Sequence, residues 1–410
     1  MAPAGTQGLA ILPGHATPVQ PAGAPPMNQT QNVLVLGGGM VGTIIAEDLA
    51  AEPGFRVTLA DRSPAALERA RLRCPGLETH EADLSDAATV RALAEEFDLV
   101  AGALSSRIGK QAMRAVIEAG KPFADISFMA EDLSDLDALA RERGVCVVMD
   151  CGVAPGMSNL LAGHGVAQLD RADSLEILVG GLPVVRSQPW QYKAGFAPSD
   201  VLEEYTRPAR YVAGGQQQVC EALTDPACFE FEGVGTLEGP ITDGLRTLVE
   251  LPVANMVERT LRYPGHTALM RALRDGGFFA LDPVEVNGTA VVPREATSAI
   301  MFPDWTYQPG EEDLTVMRIT VEGERASQRV RLAWDLDARY DRERGITSMA
   351  RSTAYPCAIA ARLLAAGRYT EPGVHAPEDL AGDPALVQEF LDGCEARGVV
   401  YRSSETNLPS

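Results

Sequence analysis

Positive charge is scarce in this chain. Its 410 residues contain 35 lysines and arginines against 56 aspartates and glutamates, for a formal net charge of -21. The mean electrostatic field of such a chain repels phosphate backbones and anionic lipid surfaces. Nucleic acids and membranes are therefore not expected partners, whereas a cationic or zwitterionic small molecule is compatible with this charge.

The cysteine and histidine patterns of metal sites and of secreted disulfide frameworks are also missing. The seven cysteines include no Cys-x-x-Cys pair, and the five histidines are widely spaced along the chain. We therefore predict no metal site. An odd number of scattered cysteines favours reduced thiols in the cytoplasm.

Long apolar runs are absent as well. No run approaches the ~18 residues that a membrane-crossing helix needs. Residues 1–30 contain no Lys, Arg, Asp or Glu and are rich in Pro, Ala and Gly, so they lack the basic start and apolar core of a signal peptide. We predict a disordered tail over 1–30, and Met27 raises the hypothesis that translation starts there.

What the chain does contain is a glycine-rich turn directly after an apolar run. The segment 33–36 leads into a Gly-x-Gly-x-x-Gly pattern that opens a helix. Gly37 would allow the tight turn, Gly39 would let the backbone approach a pyrophosphate, and Gly42 would let helix and strand pack closely. The pattern predicts a dinucleotide site.

Asp61 strengthens this prediction because it ends the second apolar run, nineteen residues after Gly42, where a carboxylate would meet the adenosine ribose. Such a carboxylate repels a 2'-phosphate, so NAD is favoured. Arg62 follows directly and can pair with a 2'-phosphate, which keeps NADP open. Asp83 would receive the adenine amino group, or else belongs to the start of a helix near Ser85. The predicted cofactor contacts are Gly37, Gly39, Met40, Val41, Gly42, Asp61, Arg62, Asp83, Leu84, Ala103 and Leu104.

Alternating strands and helices characterise the first half of the chain. The predicted strands cover residues 32–36, 56–60, 77–81, 98–104, 123–127 and 145–151. This alternation is typical of βαβ units, and it predicts an α/β fold with a Rossmann-type, doubly wound parallel sheet whose ligand lies beyond the carboxyl ends of the strands.

The length suggests about two domains. We predict a nucleotide-binding domain over 31–151 completed by C-terminal helices within 349–398, and a substrate-binding and dimerisation domain over 152–348. In the second half, 314–322 and 330–336 alternate like paired strands. A late helix is expected to start or kink at Pro356. One face of this helix is apolar and is formed by Ile359, Leu363 and Leu364.

A family resemblance rests mainly on motifs of the second half. These are the segments 151–159, 180–183, 204–211, 231–238, 242–248, 259–266 and 348–351. Together with the glycine turn they closely resemble lysine 6-dehydrogenases of the saccharopine dehydrogenase family, over roughly residues 32–370. The resemblance implies a second α/β domain with a mixed or antiparallel sheet, which supplies the substrate pocket and often the dimer contact.

The activity that the resemblance implies is NAD-dependent oxidative deamination of the ε-amine of L-lysine. The product would be the 6-semialdehyde, which cyclises, with release of ammonia. The expected partners are a small amino-acid substrate and further copies of the chain in a dimer or higher homo-oligomer. Two alternatives stay open, a saccharopine-type dehydrogenase acting on a secondary amine and a catalytically silent dinucleotide sensor.

Amine oxidation requires a proton acceptor, because an ammonium has no lone pair to stabilise the forming iminium. The titratable candidates are Asp125, Lys193, Asp243 and His266, with Asp243 and His266 ranked first. The alternatives are an ion-pair role for Asp125, a surface position for Lys193, and backbone bonding in a turn for His266.

The amino-acid carboxylate requires a cation, preferably a guanidinium, whose fork matches two oxygens. The candidates are Arg246, Arg262 and Arg351, with Arg207 and Arg210 as alternatives, and any of them could instead form ordinary ion pairs. Cys151 is expected either to approach the substrate or to be a small buried thiol that ends a strand.

Overall fold

The computed structural model describes residues 30–129, 131 and 133–409. Its strands are β1 (Gln31–Leu36), β2 (Phe55–Asp61), β3 (Glu78–Glu81), β4 (Leu99–Gly102), β5 (Phe123–Asp125), β6 (Cys146–Val148), β7 (Arg171–Pro183), β8 (Ala209–Ala213), β9 (Gln216–Cys220), β10 (Ala227–Phe231), β11 (Gly235–Gly239), β12 (Val253–Thr260), β13 (Val284–Val286), β14 (Thr289–Val291), β15 (Asp313–Arg325), β16 (Gln328–Arg339), β17 (Gly373–His375) and β18 (Tyr401–Asn407).

Helices connect most of these strands. They are α1 (Met40–Ala50), α2 (Pro64–Arg73), α3 (Ala87–Glu95), α4 (Ser106–Glu118), α5 (Ser134–Arg143), α6 (Met157–Ala167), α7 (Pro198–Thr206), α8 (His266–Asp275), α9 (Pro293–Trp305), α10 (Ser348–Ala365), α11 (Pro377–Leu380) and α12 (Pro384–Glu395), with a 3-10 turn at Arg246–Glu250. Within the described part of the chain, none of the helices combines the length and the apolar character needed to cross a membrane.

The first sheet is parallel throughout and has the order β17-β6-β5-β4-β1-β2-β3. This arrangement confirms the predicted Rossmann-type fold. The fourth to sixth predicted strands are longer than the observed ones because residues after Gly102, Asp125 and Val148 leave the sheet at its carboxyl edge. β17 comes from the C-terminal part of the chain, and its three residues carry too little periodicity to be recognised as a strand.

The second sheet is mixed, with the order β18-β16-β15-β7-β12-β8-β9. β15 pairs antiparallel with both β7 and β16, whereas β12 pairs parallel with β7. The two runs predicted as paired strands, 314–322 and 330–336, lie within β15 and β16. The predicted α/β architecture with a second, mixed sheet is therefore confirmed.

α10 holds the two sheets together. It contacts α1, β4 and β5 of the first sheet's layer and β15 and β16 of the second sheet. Thr347 caps its start by accepting a hydrogen bond from the Ala350 backbone N–H. The expectation that Pro356 starts this helix is wrong, because Pro356 lies buried inside α10.

The predicted apolar face of this helix is correct, since Ile359, Leu363 and Leu364 all belong to the hydrophobic core. The predicted tail over 1–30, and with it the Met27 hypothesis, falls on residues outside the described ones, apart from residue 30.

Candidate active site

A pocket lies between the carboxyl edge of the first sheet and the second sheet. The first half of the chain contributes residues 39–42, 103–105 and 152–155. The second half contributes one side of α7, the end of β12 and the segment 242–244 between them. Except for the segment 231–238, each motif that carried the family resemblance contributes residues to the same cavity as the glycine turn.

The glycine turn has the geometry that its predicted roles require. Gly37 has a φ of +102°, a conformation that side chains disfavour. A Cβ atom on Gly42 would lie 1.9 Å from the Gly37 carbonyl oxygen, whereas one on Gly39 would meet nothing within 4 Å. Open space in front of Gly39, at the N-terminus of α1, fits the pyrophosphate of a dinucleotide.

Met40, Val41, Ala103 and Leu104, which were predicted as cofactor contacts, also line the pocket. They extend the dinucleotide surface from the glycine turn after β1 to the loop after β4.

Asp61 lies beside the same turn. Its carboxylate accepts hydrogen bonds from the Gly38 backbone N–H at 2.6 Å and from the Ser63 backbone N–H at 2.8 Å. Arg62, next in the chain, is exposed. The carboxylate is thus held at the end of β2, where an adenosine ribose would lie.

The remaining adenine-side predictions fare differently. Asp83 is exposed, and its carboxylate accepts hydrogen bonds from the backbone N–H and hydroxyl of Ser85, which lower its pKa. Leu84 is 4% exposed and belongs to the hydrophobic core that also contains Leu36 and Val90. The Leu84 side chain is therefore part of the core, and a cofactor contact by its side chain is not supported.

Acidic side chains dominate the polar lining of the pocket. The carboxylates are those of Asp200, Glu203, Glu204, Asp243 and Glu258, and the guanidinium groups are those of Arg207 and Arg262. Three carboxylates have arginine partners: Glu203 pairs with Arg207 and Arg294, Glu204 with Arg262, and Asp243 with Arg210. Asp200 and Glu258 instead accept hydrogen bonds from hydroxyl or backbone N–H groups.

Asp243 lines the pocket, but its carboxylate is held in an ion pair with Arg210. The Arg210 guanidinium donates to both of its oxygens, at 2.7 and 3.0 Å, and the Arg210 backbone N–H donates at 3.1 Å. Both of its oxygens are therefore engaged by one guanidinium, and a substrate group must compete with Arg210 to reach them. Its position fits substrate binding better than base catalysis.

Arg262 also reaches the pocket and is 3% exposed. It donates to Glu204 at 2.8 Å, to the Tyr205 hydroxyl at 2.9 Å and to the Leu261 carbonyl at 2.9 Å. Nearby phenol and carboxylate groups outweigh the cost of burial and raise the pKa of this guanidinium. Arg262 is the predicted carboxylate-binding residue that the structure brings to the cavity, and Arg207, an alternative, joins it there.

His266 does not line the pocket. Its Nε2 atom lies 2.9 Å from the Tyr205 hydroxyl, and its Nδ1 atom lies 2.9 Å from the Trp190 carbonyl oxygen. Burial and the nearby Arg262 charge lower the pKa of His266 to about 3. With both nitrogens occupied and the neutral form enforced, His266 does not fit the role of base, and the predicted alternative of a histidine bonded to backbone describes it better.

Lys193 likewise lies outside the lining of the pocket. Its ammonium contacts Glu311 at 2.7 Å and donates to the Thr306 carbonyl at 3.2 Å. The neighbouring Tyr192 faces the cavity instead. Lys193 therefore anchors a loop, and its predicted role in proton transfer is not supported.

Asp125 and Cys151 lie behind the wall of the pocket. Asp125 is 1% exposed, accepts a hydrogen bond from the Ser127 hydroxyl at 2.9 Å, and has its pKa raised to about 7 by burial. Cys151 is 3% exposed and its thiol points to the Val148 carbonyl. Burial raises its pKa, so it corresponds to the buried thiol of the two predicted alternatives.

Two predicted arginines serve the interior of the protein. Arg246 pairs with the buried Asp150 at 2.9 Å, and its guanidinium lies 5.1 Å from the centre of the Phe128 ring, which faces the pocket. Arg351 donates to the Arg339 carbonyl at 2.7 Å and lies 3.6 Å from Asp341. Neither lines the cavity, so the predicted contact with the substrate carboxylate is not supported for either, and both form the ion pairs given as the alternative.

Sequence reasoning missed Glu258, Glu204 and Asp200. Glu258 lies in β12 and is 2% exposed. The signal that singled out Asp125, a charged residue inside an otherwise apolar strand, is weaker here because Asn255 and Arg259 belong to the same strand. The other two lie on α7, where carboxylates on a surface helix carry no such signal.

Comparisons with known proteins give a consistent result. Residues 33–148 match the family model described as Saccharopine dehydrogenase NADP binding domain, and residues 152–399 match Saccharopine dehydrogenase C-terminal domain.

Curated relatives agree with these matches. Saccharopine dehydrogenase [NADP(+), L-glutamate-forming] of Saccharomyces cerevisiae is 22% identical, over 88% of this chain and 97% of its own length. The Pyricularia oryzae protein of the same name is 26% identical, over 66% of this chain and 63% of its own length. Carboxynorspermidine synthase of Vibrio cholerae is 24% identical, over 87% of this chain and 94% of its own length.

The fold of a solved structure is also similar. Apo saccharopine dehydrogenase (L-Glu forming) from Saccharomyces cerevisiae superposes with a TM-score of 0.76 at 18% identity, covering 92% of this chain and all of that one. Because the two family models together match most of the sequence, the chain belongs to the saccharopine dehydrogenase family, whose nucleotide domain binds a nicotinamide dinucleotide.

Proposed function

We propose that this protein oxidises the ε-amine of L-lysine with a nicotinamide dinucleotide and releases ammonia. The observation that carries the proposal is the charge of the pocket. Asp200 and Glu258 face the cavity opposite the glycine turn, and neither forms a salt bridge with an arginine among the residues that the structure describes. Lysine offers two ammonium groups and one carboxylate, which matches a lining with surplus carboxylates and a minority of guanidinium groups.

The bound dinucleotide would supply the hydride acceptor. The chain's own residues must then bind the amine, orient it and take its proton, because free lysine has an ε-amine pKa near ~10.4 and is charged at neutral pH. Hydride departure from the ε-carbon leaves an iminium, and addition of water releases ammonia and the aldehyde. The carboxylates of the pocket favour each cationic species along this path.

Saccharopine-type chemistry on a secondary amine is the second candidate, and the names of the yeast and fungal relatives favour it. Saccharopine carries more carboxylates than lysine and requires additional cationic partners. In this pocket both guanidinium groups already contact a glutamate, Arg207 that of Glu203 and Arg262 that of Glu204. The surplus of negative charge therefore favours the primary amine.

For the cofactor we propose NAD. Asp61 is fixed beside Gly38 at the end of β2, where its charge would repel a 2'-phosphate. The names of the family model and of the yeast relative point to NADP instead. The preference is therefore tested with both dinucleotides.

The deciding experiment incubates the purified full-length chain with lysine or saccharopine and either dinucleotide. Reduced dinucleotide is followed by absorbance, and ammonia is measured in parallel. We expect reduction and equimolar ammonia with lysine. Turnover of saccharopine alone would select the second candidate, and tight dinucleotide binding without turnover of any amine would favour the silent sensor.

A further inference from the structure

Glu258 occupies an unusual position among the carboxylates of the pocket. Its side chain is held by the Thr242 hydroxyl at 2.5 Å, the Gly244 backbone N–H at 3.1 Å and the Thr260 hydroxyl at 3.3 Å. All three are neutral donors. Among the described residues, no lysine, arginine or histidine forms a salt bridge with it, so its charge is left for a ligand.

The neighbouring backbone fixes the position of the Glu258 side chain. A Cβ atom on Gly244 would lie 2.4 Å from the Glu258 carboxyl carbon, so only glycine allows the segment 242–244 to fold over this side chain. Parallel pairing with β7 fixes the strand that carries it, with Glu258 opposite Ile177. The carboxyl is therefore positioned rigidly and does not depend on a mobile loop.

Burial raises the pKa of Glu258 to about 7, against the lowering effect of the Thr242 hydrogen bond, and the negative charge of Glu204 adds to the rise. The other charged groups that line the same cavity are Asp200, Glu203, Arg207, Asp243 and Arg262. A carboxyl that titrates near neutral pH can both accept and return a proton under working conditions.

We propose that Glu258 is the catalytic residue that accepts a proton from the substrate ammonium before hydride transfer. This inference rests on the proposed function. The N–H bond of the ammonium breaks and an O–H bond forms on the Glu258 carboxylate, which leaves a neutral amine with a lone pair. The ε-carbon then gives its hydride to the oxidised dinucleotide, the lone pair completes the C=N bond, and Glu258 later returns its proton to the leaving ammonia or to solvent.

The kinetic test compares Glu258→Gln with Glu176→Gln. Glutamine keeps the shape and can still contact Thr242, but it cannot take the proton. Glu176 is a suitable control because it lies on β7, has its pKa raised by burial, and does not line the pocket. We expect kcat/KM for lysine to fall by about 100-fold or more in Glu258→Gln, with loss of the limb of the pH profile near pH 7. Glu176→Gln should retain the wild-type profile.

Dinucleotide affinity, measured by fluorescence titration, should be the same in both variants and confirms that they are folded. A Glu258→Gln enzyme with the wild-type rate and pH profile would overturn the proposal.

A second measurement does not depend on turnover. Lysine is titrated calorimetrically into the protein with reduced dinucleotide, which cannot accept hydride, in two buffers of different ionisation enthalpy at pH 7. A group with a pKa near 7 that must lose its proton to meet an ammonium releases about half a proton per lysine. We expect this release in the wild type and in Glu176→Gln and its absence in Glu258→Gln. Equal release in all three would overturn the proposal.

The two proposals fail in different ways. If another amine replaces lysine as substrate and Glu258→Gln abolishes its oxidation, the role of Glu258 stands and the choice of lysine fails. If the wild type oxidises lysine and Glu258→Gln does so equally well, the choice of lysine stands and the role of Glu258 fails. Absence of oxidation of any amine by the wild type overturns both.

Discussion

The Ser106 hydroxyl donates a 3.0 Å hydrogen bond to Asp200 and so joins the first turn of α4 to α7 beside the pocket. Ser106 follows the loop that carries the cofactor side of the site, whereas Asp200 belongs to the substrate side. The contact ties the position of one unpaired carboxylate to the half of the protein that would hold the dinucleotide.

Asp200→Asn should raise KM for lysine by about 10-fold or more, because it removes a charge-assisted contact worth about 1.5–3 kcal/mol while keeping the acceptor for Ser106. Steady-state kinetics with varied lysine measures the effect. Ser106→Ala is the matched control, since it removes the hydrogen bond and leaves the charge. A rise in KM in Ser106→Ala with little change in Asp200→Asn would mean that Asp200 acts only as a contact between the two halves.

Alanine at two glycines of the turn should separate cofactor binding from folding. Gly39→Ala places a methyl group in open space, so thermal stability should hardly change, but the methyl group would occupy the approach of a pyrophosphate and weaken dinucleotide binding by about 10-fold or more. Gly42→Ala instead forces a Cβ atom against the Gly37 carbonyl and should lower the unfolding temperature as well. Unchanged dinucleotide affinity in Gly39→Ala would contradict the assignment of the turn.

Asp61→Ser should shift the cofactor preference. Removing the carboxylate relieves repulsion of a 2'-phosphate, so the ratio of kcat/KM with NADP to that with NAD should rise by about 10-fold or more. Arg62→Ala is the opposing control and should lower activity with NADP. A wild-type enzyme that already prefers NADP, and whose preference Asp61→Ser leaves unaltered, would contradict the proposed role of this carboxylate.

The fold followed from the sequence because its signals are local and repeated. The glycine turn, the apolar strands and the alternating pattern of 314–322 each depend on near neighbours along the chain. The role of each side chain in the pocket, by contrast, depends on which residues it contacts, and these residues are distant in the sequence. Asp243 meets Arg210 and His266 meets Tyr205, and neither contact can be read from spacing.

The role of Glu258 could not be predicted from the sequence for the same reason. Nothing in its own segment indicates that Thr242 and Gly244 fold over it and leave it without a cationic partner. Arg351, by contrast, lies in a segment on which the family resemblance rested, yet it donates to the Arg339 carbonyl in the interior, so these segments did not separate binding residues from structural ones.

His266→Gln should reduce stability rather than remove the catalytic base. The wild-type imidazole contacts Tyr205 and the Trp190 carbonyl, and the loss of these contacts should cost about 1–3 kcal/mol. Because the folded pKa is about 3, below the ordinary value of about 6.5, the wild type keeps this contribution above pH 6.5 and loses it as the pH falls toward 3.

Urea unfolding of His266→Gln and wild type between pH 4 and 8 measures this difference, which should shrink at the acidic end. The pH profile of kcat/KM should keep its shape in the variant. Loss of a limb of that profile would restore His266 as a base.

Asp125→Asn should stabilise the protein increasingly as the pH rises. One Asp125 oxygen accepts from Ser127 and the other has no hydrogen-bond partner, and burial raises the pKa to about 7. Between about pH 4 and 7 the folded state therefore holds a proton that the unfolded chain releases, so the wild type loses stability as the pH rises through this range. The asparagine variant has no carboxyl group at this position, so its stability does not fall with pH in this way.

The stability of Asp125→Asn relative to wild type should therefore increase by about 1–3 kcal/mol from pH 5 to pH 8, measured by urea unfolding. Glu232→Gln, which alters an exposed carboxylate, should show no such trend. A constant difference across this range would mean that Asp125 is ionised throughout. In that case a cationic group or water must reach its unpaired oxygen, and Asp125 would return as a candidate for proton transfer beside Glu258.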